Sequence, residues 1–129
     1  MNSNTLIIIC IATVFLHIAD DFYLQGILAN LKQREWWKEN ARNNMYRNDY
    51  MAALIIHGLS WSIMVHTPIM IYRYMHYQSL LITVVSIMFN LLIHSHIDNQ
   101  KANLHTINLI KDQICHGFQL ILILIIGTI

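Results

Sequence analysis

Apolar residues dominate four long windows of the chain, and polar residues separate these windows. The windows cover about residues 6–28, 50–72, 79–97 and 106–129. A helix needs about 20 mostly apolar residues to cross roughly 30 Å of hydrocarbon, so each window is long enough to span a membrane. Open strands are excluded because lipid cannot satisfy their backbone edges. The pattern therefore predicts an all-α integral membrane protein, in which residues 1–129 form one domain built as a four-transmembrane-helix bundle.

The longest polar stretch, about residues 30–49, joins the first two windows. It contains Trp36 and Trp37, whose rings suit the headgroup boundary, and five basic residues. We interpret it as an amphipathic interfacial segment; a solvated connector is the alternative. Only Arg73 lies near the second connection, whereas Lys101 and Lys111 lie in or near the third. The positive-inside rule then places loops one and three in the cytoplasm and both termini outside.

Composition narrows the classes of function. Apolar residues make up 56% of the 129 residues and charged residues 12%, and the formal net charge is only +1. So small a charge creates no long-range field that would attract nucleic acid, and we predict no nucleic-acid partner. Cys10 and Cys115 lie in apolar runs without a CxxC spacing, which indicates small apolar residues and not a thiolate metal site.

Ionisable residues inside the apolar windows are the main candidates for chemistry, because such residues are costly in lipid and face the interior of a bundle. Three windows each carry a His and an Asp four residues apart, a spacing that places both on one face of a helix. The second window adds one His beside a small Gly. The predicted metal ligands are His17, Asp21, His57, His94, Asp98, Asp112 and His116, with Asp20 next to them.

The depth of these residues in each window indicates a single cluster. Windows one and three run towards the cytoplasm and carry their polar pairs late, whereas windows two and four run outward and carry theirs early. All of them therefore fall in the cytoplasmic half of the bundle. Imidazole and carboxylate ligands together suit Zn²⁺, Mn²⁺ or Fe²⁺. Seven candidates exceed the four ligands of one zinc, so we expect two bridged ions, or one ion with outer acids that orient its histidines.

A metal-activated water attacking a phosphoester, an amide or a similar bond at the cytoplasmic face is the predicted activity. Asp20 is the expected general base, and Lys101 is expected to hold an anionic group of a small-molecule, lipid or phosphoester substrate. Two other classes stay open. One is a proton or metal-cation relay, and the other is a non-catalytic phage or bacterial inhibitor or scaffold stabilised by metal. A homo-oligomer is plausible because four short helices enclose little interior.

The segments HIADDFYLQ, HSHIDNQK and DQICHGFQ resemble a family of small bacterial and phage membrane proteins classed as a domain of unknown function. H-x3-D in an early helix and D-Q-x2-H in the last also resemble, more distantly, the membrane-bound metal-dependent hydrolases of bacterial inner membranes. This resemblance implies a location in the bacterial inner membrane. It implies site roles for His17, Asp20, Asp21, Asp98, Asp112 and His116, with Gln113 and Lys101 as neighbours.

Overall fold

The protein is described here by a computed structural model that covers residues 1–41 and 43–128. Six α-helices are present in this part of the chain. They are α1 (Ser3–Ile18), α2 (Leu28–Leu31), α3 (Arg34–Asn40), α4 (Asp49–Met75), α5 (Leu81–Ala102) and α6 (Leu109–Thr128). A π-helical segment, Ala19–Leu24, continues α1, and a 3₁₀ turn, Asn44–Tyr46, precedes α4. The described residues contain no strand, which confirms the predicted all-α class.

Within residues 1–41 and 43–128, four helical segments are long and apolar enough to cross a membrane, as the sequence predicted. They are Ser3–Leu24, Asn44–Met75, Leu81–Ala102 and Leu109–Gly127. The first ends before the predicted residue 28 because Gly26 adopts a positive φ of 51°, a conformation that a glycine takes without strain. The third extends past the predicted residue 97, and this extension keeps Asp98 and Lys101 on the helix.

Helix α4 is the centre of the packing, since it contacts α1, α5 and α6. We call the end where α1 and α5 finish and α4 and α6 begin the site end, and the opposite end the far end. Towards the far end an apolar core forms around Trp61, Val65 and Ile69 of α4, with Ile9, Leu120 and Ile123 from α1 and α6.

The outer surface of these helices is also apolar. Phe15, Phe89 and Phe118 are each more than 60% exposed, on α1, α5 and α6 respectively. Buried positions, by contrast, include many polar side chains. An apolar exterior around a partly polar interior is typical of helices that pack in lipid, where contact with hydrocarbon carries no penalty for apolar side chains.

Gly58 allows α4 and α5 to approach closely, and this contact provides a test of the packing. A Cβ at position 58 would lie 3.1 Å from the backbone oxygen of Leu91 and closer still to Oγ of Ser95. We expect Gly58→Ala to destabilise the protein by about 1–3 kcal/mol, measured by thermal unfolding in detergent.

Gly117→Ala is the matched control, because a Cβ there meets no atom of the described chain within 4 Å. This change should be neutral, or stabilising by up to about 1 kcal/mol, since alanine favours a helix. Equal stabilities of the two variants would contradict the close approach of α4 and α5.

Candidate metal centre

At the site end, imidazole and carboxylate groups from four helical segments converge in a buried cluster. His94, Asp112 and His116 are 0% exposed, and His57 and Asp98 are 1% exposed. The π-helical segment contributes Asp21, α4 contributes His57, α5 contributes His94 and Asp98, and α6 contributes Asp112 and His116. Six of the seven residues predicted as metal ligands therefore meet at one place.

Asp21, His57 and His94 form a group that could hold a metal ion. Nε2 of His57 lies 3.2 Å from Nε2 of His94 and 3.3 Å from Oδ1 of Asp21. Oδ1 of Asp21 lies 4.0 Å from Nε2 of His94. Metal bonds of about 2.0–2.2 Å place tetrahedral ligand atoms about 3.3–3.6 Å apart, so these separations are close to those of ligands around one ion.

A second group that could hold a metal consists of His94, Asp98 and His116. Nε2 of His116 lies 3.5 Å from Oδ1 of Asp98 and 3.4 Å from Oδ1 of Asp112. A nitrogen lone pair binds one ion, so when His94 serves the first group, Asp112 completes the second. Oδ2 of Asp98 also lies 3.4 Å from Nε2 of His57, which places this carboxylate between the two groups.

Several of these atoms lack hydrogen bonds. Oδ1 of Asp98, Oδ1 of Asp112 and Nε2 of His116 are all buried, and none has a hydrogen-bond partner among residues 1–41 and 43–128. Burying a polar atom without a partner costs about 1–3 kcal/mol, and more for a charged group. These three atoms face one another. A positive charge or a hydrogen-bond donor at the point where they meet would therefore satisfy all of them.

Two lysines neutralise part of the cluster. Nζ of Lys32 donates to Oδ2 of Asp98 at 2.6 Å, and Nζ of Lys101 donates to Oδ2 of Asp112 at 2.5 Å. Lys32 is only 5% exposed, although the sequence placed it in the polar connector. Lys101, predicted to hold an anionic group, is bonded to a carboxylate of the cluster, and its side chain is 28% exposed.

His17, also predicted as a metal ligand, lies beside the cluster and is hydrogen-bonded through both ring nitrogens. Nε1 of Trp61 donates to Nδ1 of His17 at 2.9 Å, so Nε2 carries the proton of the neutral ring and faces Oε1 of Gln113 at 3.2 Å. Both ring nitrogens thus have hydrogen-bond partners, and Nδ1 also lies 3.7 Å from Oδ2 of Asp21. Gln113 in turn donates to Oδ2 of Asp21 and to Oδ2 of Asp112, and thereby orients two carboxylates.

Asp20 was predicted as a general base, but it lies behind His57 and not at the convergent atoms. Its Oδ1 accepts from Oγ of Ser60 at 2.7 Å, and its Oδ2 lies 3.6 Å from Nδ1 of His57. These two atoms are within ion-pair distance but are not hydrogen-bonded. A carboxylate that accepts from Nδ1 would keep a proton there and leave Nε2 free to bind metal. The wider π-helical turn, a feature frequent at functional sites, lets both Asp20 and Asp21 approach His57.

Buried polar residues continue from the cluster towards the far end, and we call them the polar column. Nδ1 of His116 contacts Oε1 of Gln119 at 3.0 Å, and Nε2 of Gln119 donates to Oδ1 of Asn90 at 3.1 Å. Asn90 donates to Oγ of Ser86 at 3.4 Å, and this hydroxyl lies 2.8 Å from Nε2 of His66. Nδ1 of His66 donates to the carbonyl of Ser62 at 2.7 Å, so both ring nitrogens of His66 are hydrogen-bonded.

The contact with Gln119 determines which nitrogen of His116 can bind metal. An amide oxygen only accepts, so Nδ1 of His116 donates, and in the neutral ring Nε2 carries its lone pair towards Asp98 and Asp112. We expect Gln119→Leu to lower the affinity for metal about 10–100-fold, and Gln119→Glu, which retains an acceptor, to preserve it. Cobalt absorption titrations on folded protein measure both. Unchanged affinity in the leucine variant would exclude this role.

A family of small bacterial and phage membrane proteins was expected from the segments HIADDFYLQ, HSHIDNQK and DQICHGFQ. The geometry of the cluster does not depend on that resemblance. Comparison of this chain with protein-family models, with curated proteins and with solved structures found no match.

Proposed function

We propose that this is a membrane-embedded metal-binding protein that holds two divalent transition-metal ions in its buried cluster. Asp21, His57 and His94 would bind one ion, and Asp98, Asp112 and His116 the other, with Asp98 placed to bridge them. The observation that carries the proposal is the set of convergent, buried acceptors without hydrogen-bond partners in the described part of the chain. The mixture of imidazole and carboxylate favours Zn²⁺, Mn²⁺ or Fe²⁺.

The charge of the cluster supports this proposal. Four carboxylates face two ammonium groups within a nearly solvent-free volume, which leaves an excess of two negative charges when the histidines are neutral. These groups are Asp20, Asp21, Asp98 and Asp112 with Lys32 and Lys101. Such an excess is costly in a low-dielectric interior. One divalent ion would neutralise it, and a second would make the site positive and therefore attractive to an anionic substrate.

A metal-dependent hydrolase acting on a phosphoester is the activity that this site supports best. Each proposed ion has three protein ligands, and that number leaves a position open for water or substrate, as in catalytic zinc sites. Bound ions would supply Lewis acidity and an activated water. Lys101 and Gln113 are the partly exposed members, whereas the side chain of Asp21 is 5% exposed, so a substrate would enter past Lys101 and Gln113, along the cytoplasmic headgroup plane.

The hydrolase proposal is tested with full-length protein loaded with Mn²⁺ or Zn²⁺ and with bis(4-nitrophenyl) phosphate as the probe. We expect metal-dependent hydrolysis that falls at least about 100-fold in His116→Ala. His96→Ala is the matched control, because His96 is exposed and two residues from His94, and it should keep full activity.

Asp20→Asn distinguishes two roles of Asp20. If Asp20 orients His57, the variant should bind metal more weakly; if Asp20 is the general base, the variant should bind metal normally and hydrolyse the probe more slowly.

If the metal-loaded protein hydrolyses no phosphodiester, phosphomonoester or amide probe, the hydrolase proposal is overturned. The proposed metal site would not be affected by that result.

Relay of protons through the membrane is the other function considered. The polar column favours it by reaching from His116 to His66, but its Gln119 and Asn90 amides cannot pass a proton on without forming an unstable imidic acid. We therefore assign the column a structural role, which fixes the ring of His116.

A further inference from the structure

A basic cleft lies outside the cluster, where α3 and the 3₁₀ turn meet the start of the second span. Its volume is about 360 Å³, within the range of about 300–1,000 Å³ that is typical of small-molecule sites. The lining includes Arg34, Trp37, Lys38 and Arg47, together with the amides of Asn43 and Asn44. No acidic residue is among the residues that line it in the described chain.

Hydrogen bonds and ring contacts hold the walls of this cleft in place. Nε1 of Trp37 donates to the carbonyl of Leu31 at 2.7 Å, and the Trp37 ring stacks on Tyr46 with centroids 6.2 Å apart. The backbone N–H of Arg34 donates to Oδ1 of Asn103 at 2.6 Å. The cleft is therefore a built feature, anchored on α2, α3 and the end of α5, and not an open loop.

The cationic groups of the cleft are not equally available to a ligand. Lys38 donates to Oε1 of Glu35 at 2.5 Å, and this hydrogen bond lowers the pKa of the exposed Glu35 carboxyl. The charge of Lys38 is thus already balanced. Nε of Arg34, by contrast, is buried and has no hydrogen-bond partner within residues 1–41 and 43–128. Arg47 follows the 3₁₀ turn directly, is exposed and also lines the cleft.

We propose that this cleft binds a phosphate group, held by the guanidinium groups of Arg34 and Arg47 and by the amides of Asn43 and Asn44. Guanidinium groups bind phosphate oxygens in pairs of charge-assisted hydrogen bonds, and amide N–H groups add neutral donors. The tryptophan and the adjoining membrane span place the cleft at headgroup depth, so the phosphate of an anionic lipid can reach it as readily as a soluble phosphate ester. This site does not depend on the metal centre.

The test is calorimetric titration of full-length protein in an uncharged detergent with short-chain phosphatidic acid, glycerol 3-phosphate and inorganic phosphate. We expect saturable binding of one phosphate-bearing ligand per chain. Arg34→Gln/Arg47→Gln should weaken this binding by about 100-fold, about tenfold for each lost guanidinium. Lys111→Gln is the matched control, because it removes one exposed positive charge from the same end of the protein outside the cleft.

The ligands distinguish the two sources of phosphate. Tight binding of phosphatidic acid alone identifies a lipid site, and equal binding of glycerol 3-phosphate identifies a soluble ester; both support the phosphate site. Equal affinity of the wild type and the double variant, or an equal loss in Lys111→Gln, would overturn it. The backbone anchor of Arg34 survives its substitution, and an unchanged Tm and metal content would show that the double variant is folded.

Discussion

Wild-type protein extracted in a mild, uncharged detergent without chelators should carry about two equivalents of divalent transition metal per chain. Substitution of a single ligand should remove one ion and leave the other bound. His57→Ala removes a ligand of one ion and His116→Ala a ligand of the other, so each variant should retain about one equivalent, and the double variant none. Elemental analysis by mass spectrometry, normalised to protein by amino-acid analysis, measures these counts directly.

His96→Ala and His66→Gln provide controls of different kinds for this experiment. His96 is exposed on α5, and His66 is buried but bonded to Ser62 and Ser86, far from the convergent atoms. Both variants should keep the wild-type metal content. Loss of all metal in each single cluster variant would indicate one shared ion instead of two. Wild-type protein without metal would remove the basis of both the metal site and the hydrolase.

The number and approximate extent of the long helices follow from the sequence, because the length of an apolar window and the thickness of a bilayer are independent of tertiary detail. The ends are harder to predict. The first span finishes at the π-helical segment and Gly26, and a hydropathy window contains no information on either. The extension of α5 depends on polar residues, such as Asp98, that face the interior and not the lipid.

Membership of the cluster was predictable for residues that repeat at helical spacing. Asn90, His94 and Asp98 follow one another at four-residue steps, a periodicity that places them on one face of α5. Gln119 lies three residues after His116, and Trp61 four after His57, so the same rule would have found both. Only the ionisable members of these series were predicted as site residues, and Asn90, Gln119 and the indole of Trp61 were missed.

Roles within the cluster were not predictable from spacing. His17 has the spacing of a ligand, yet the indole N–H of Trp61 occupies its Nδ1, and only the relative rotation of α1 and α4 determines that contact. Lys32 enters the cluster through the fold of α2, which returns a connector residue to the span interior. Because Lys32 and Lys101 are bonded to carboxylates, two of the basic residues that support the cytoplasmic orientation are partly neutralised. Lys38 is likewise paired with Glu35, so the predicted orientation rests more on Arg34, Arg47 and Lys111.

Removal of the metal should have the second large effect, because the carboxylates of the cluster would then lose their main source of positive charge. Binding at a thousandfold excess over Kd contributes about 4 kcal/mol to stability for each ion, and about 8 kcal/mol for two. For a chain of this length we expect a chelator that removes both ions to lower the Tm by about 20–30 °C. Thermal unfolding in detergent, with and without EDTA, measures this shift, and restored metal should reverse it.

Asp21→Asn should change the Tm in opposite directions in the two states. With metal present the variant loses a ligand and should unfold below the wild type. Without metal it should unfold at a higher temperature than the metal-free wild type, because one buried negative charge is gone. No lysine loses its partner through this change, since Lys32 pairs with Asp98 and Lys101 pairs with Asp112. Asp49→Asn, at the start of α4, is the control and should shift the Tm equally in both states. A lower Tm for Asp21→Asn in both states would mean that the carboxylate supports the fold directly, and that metal does not explain its burial.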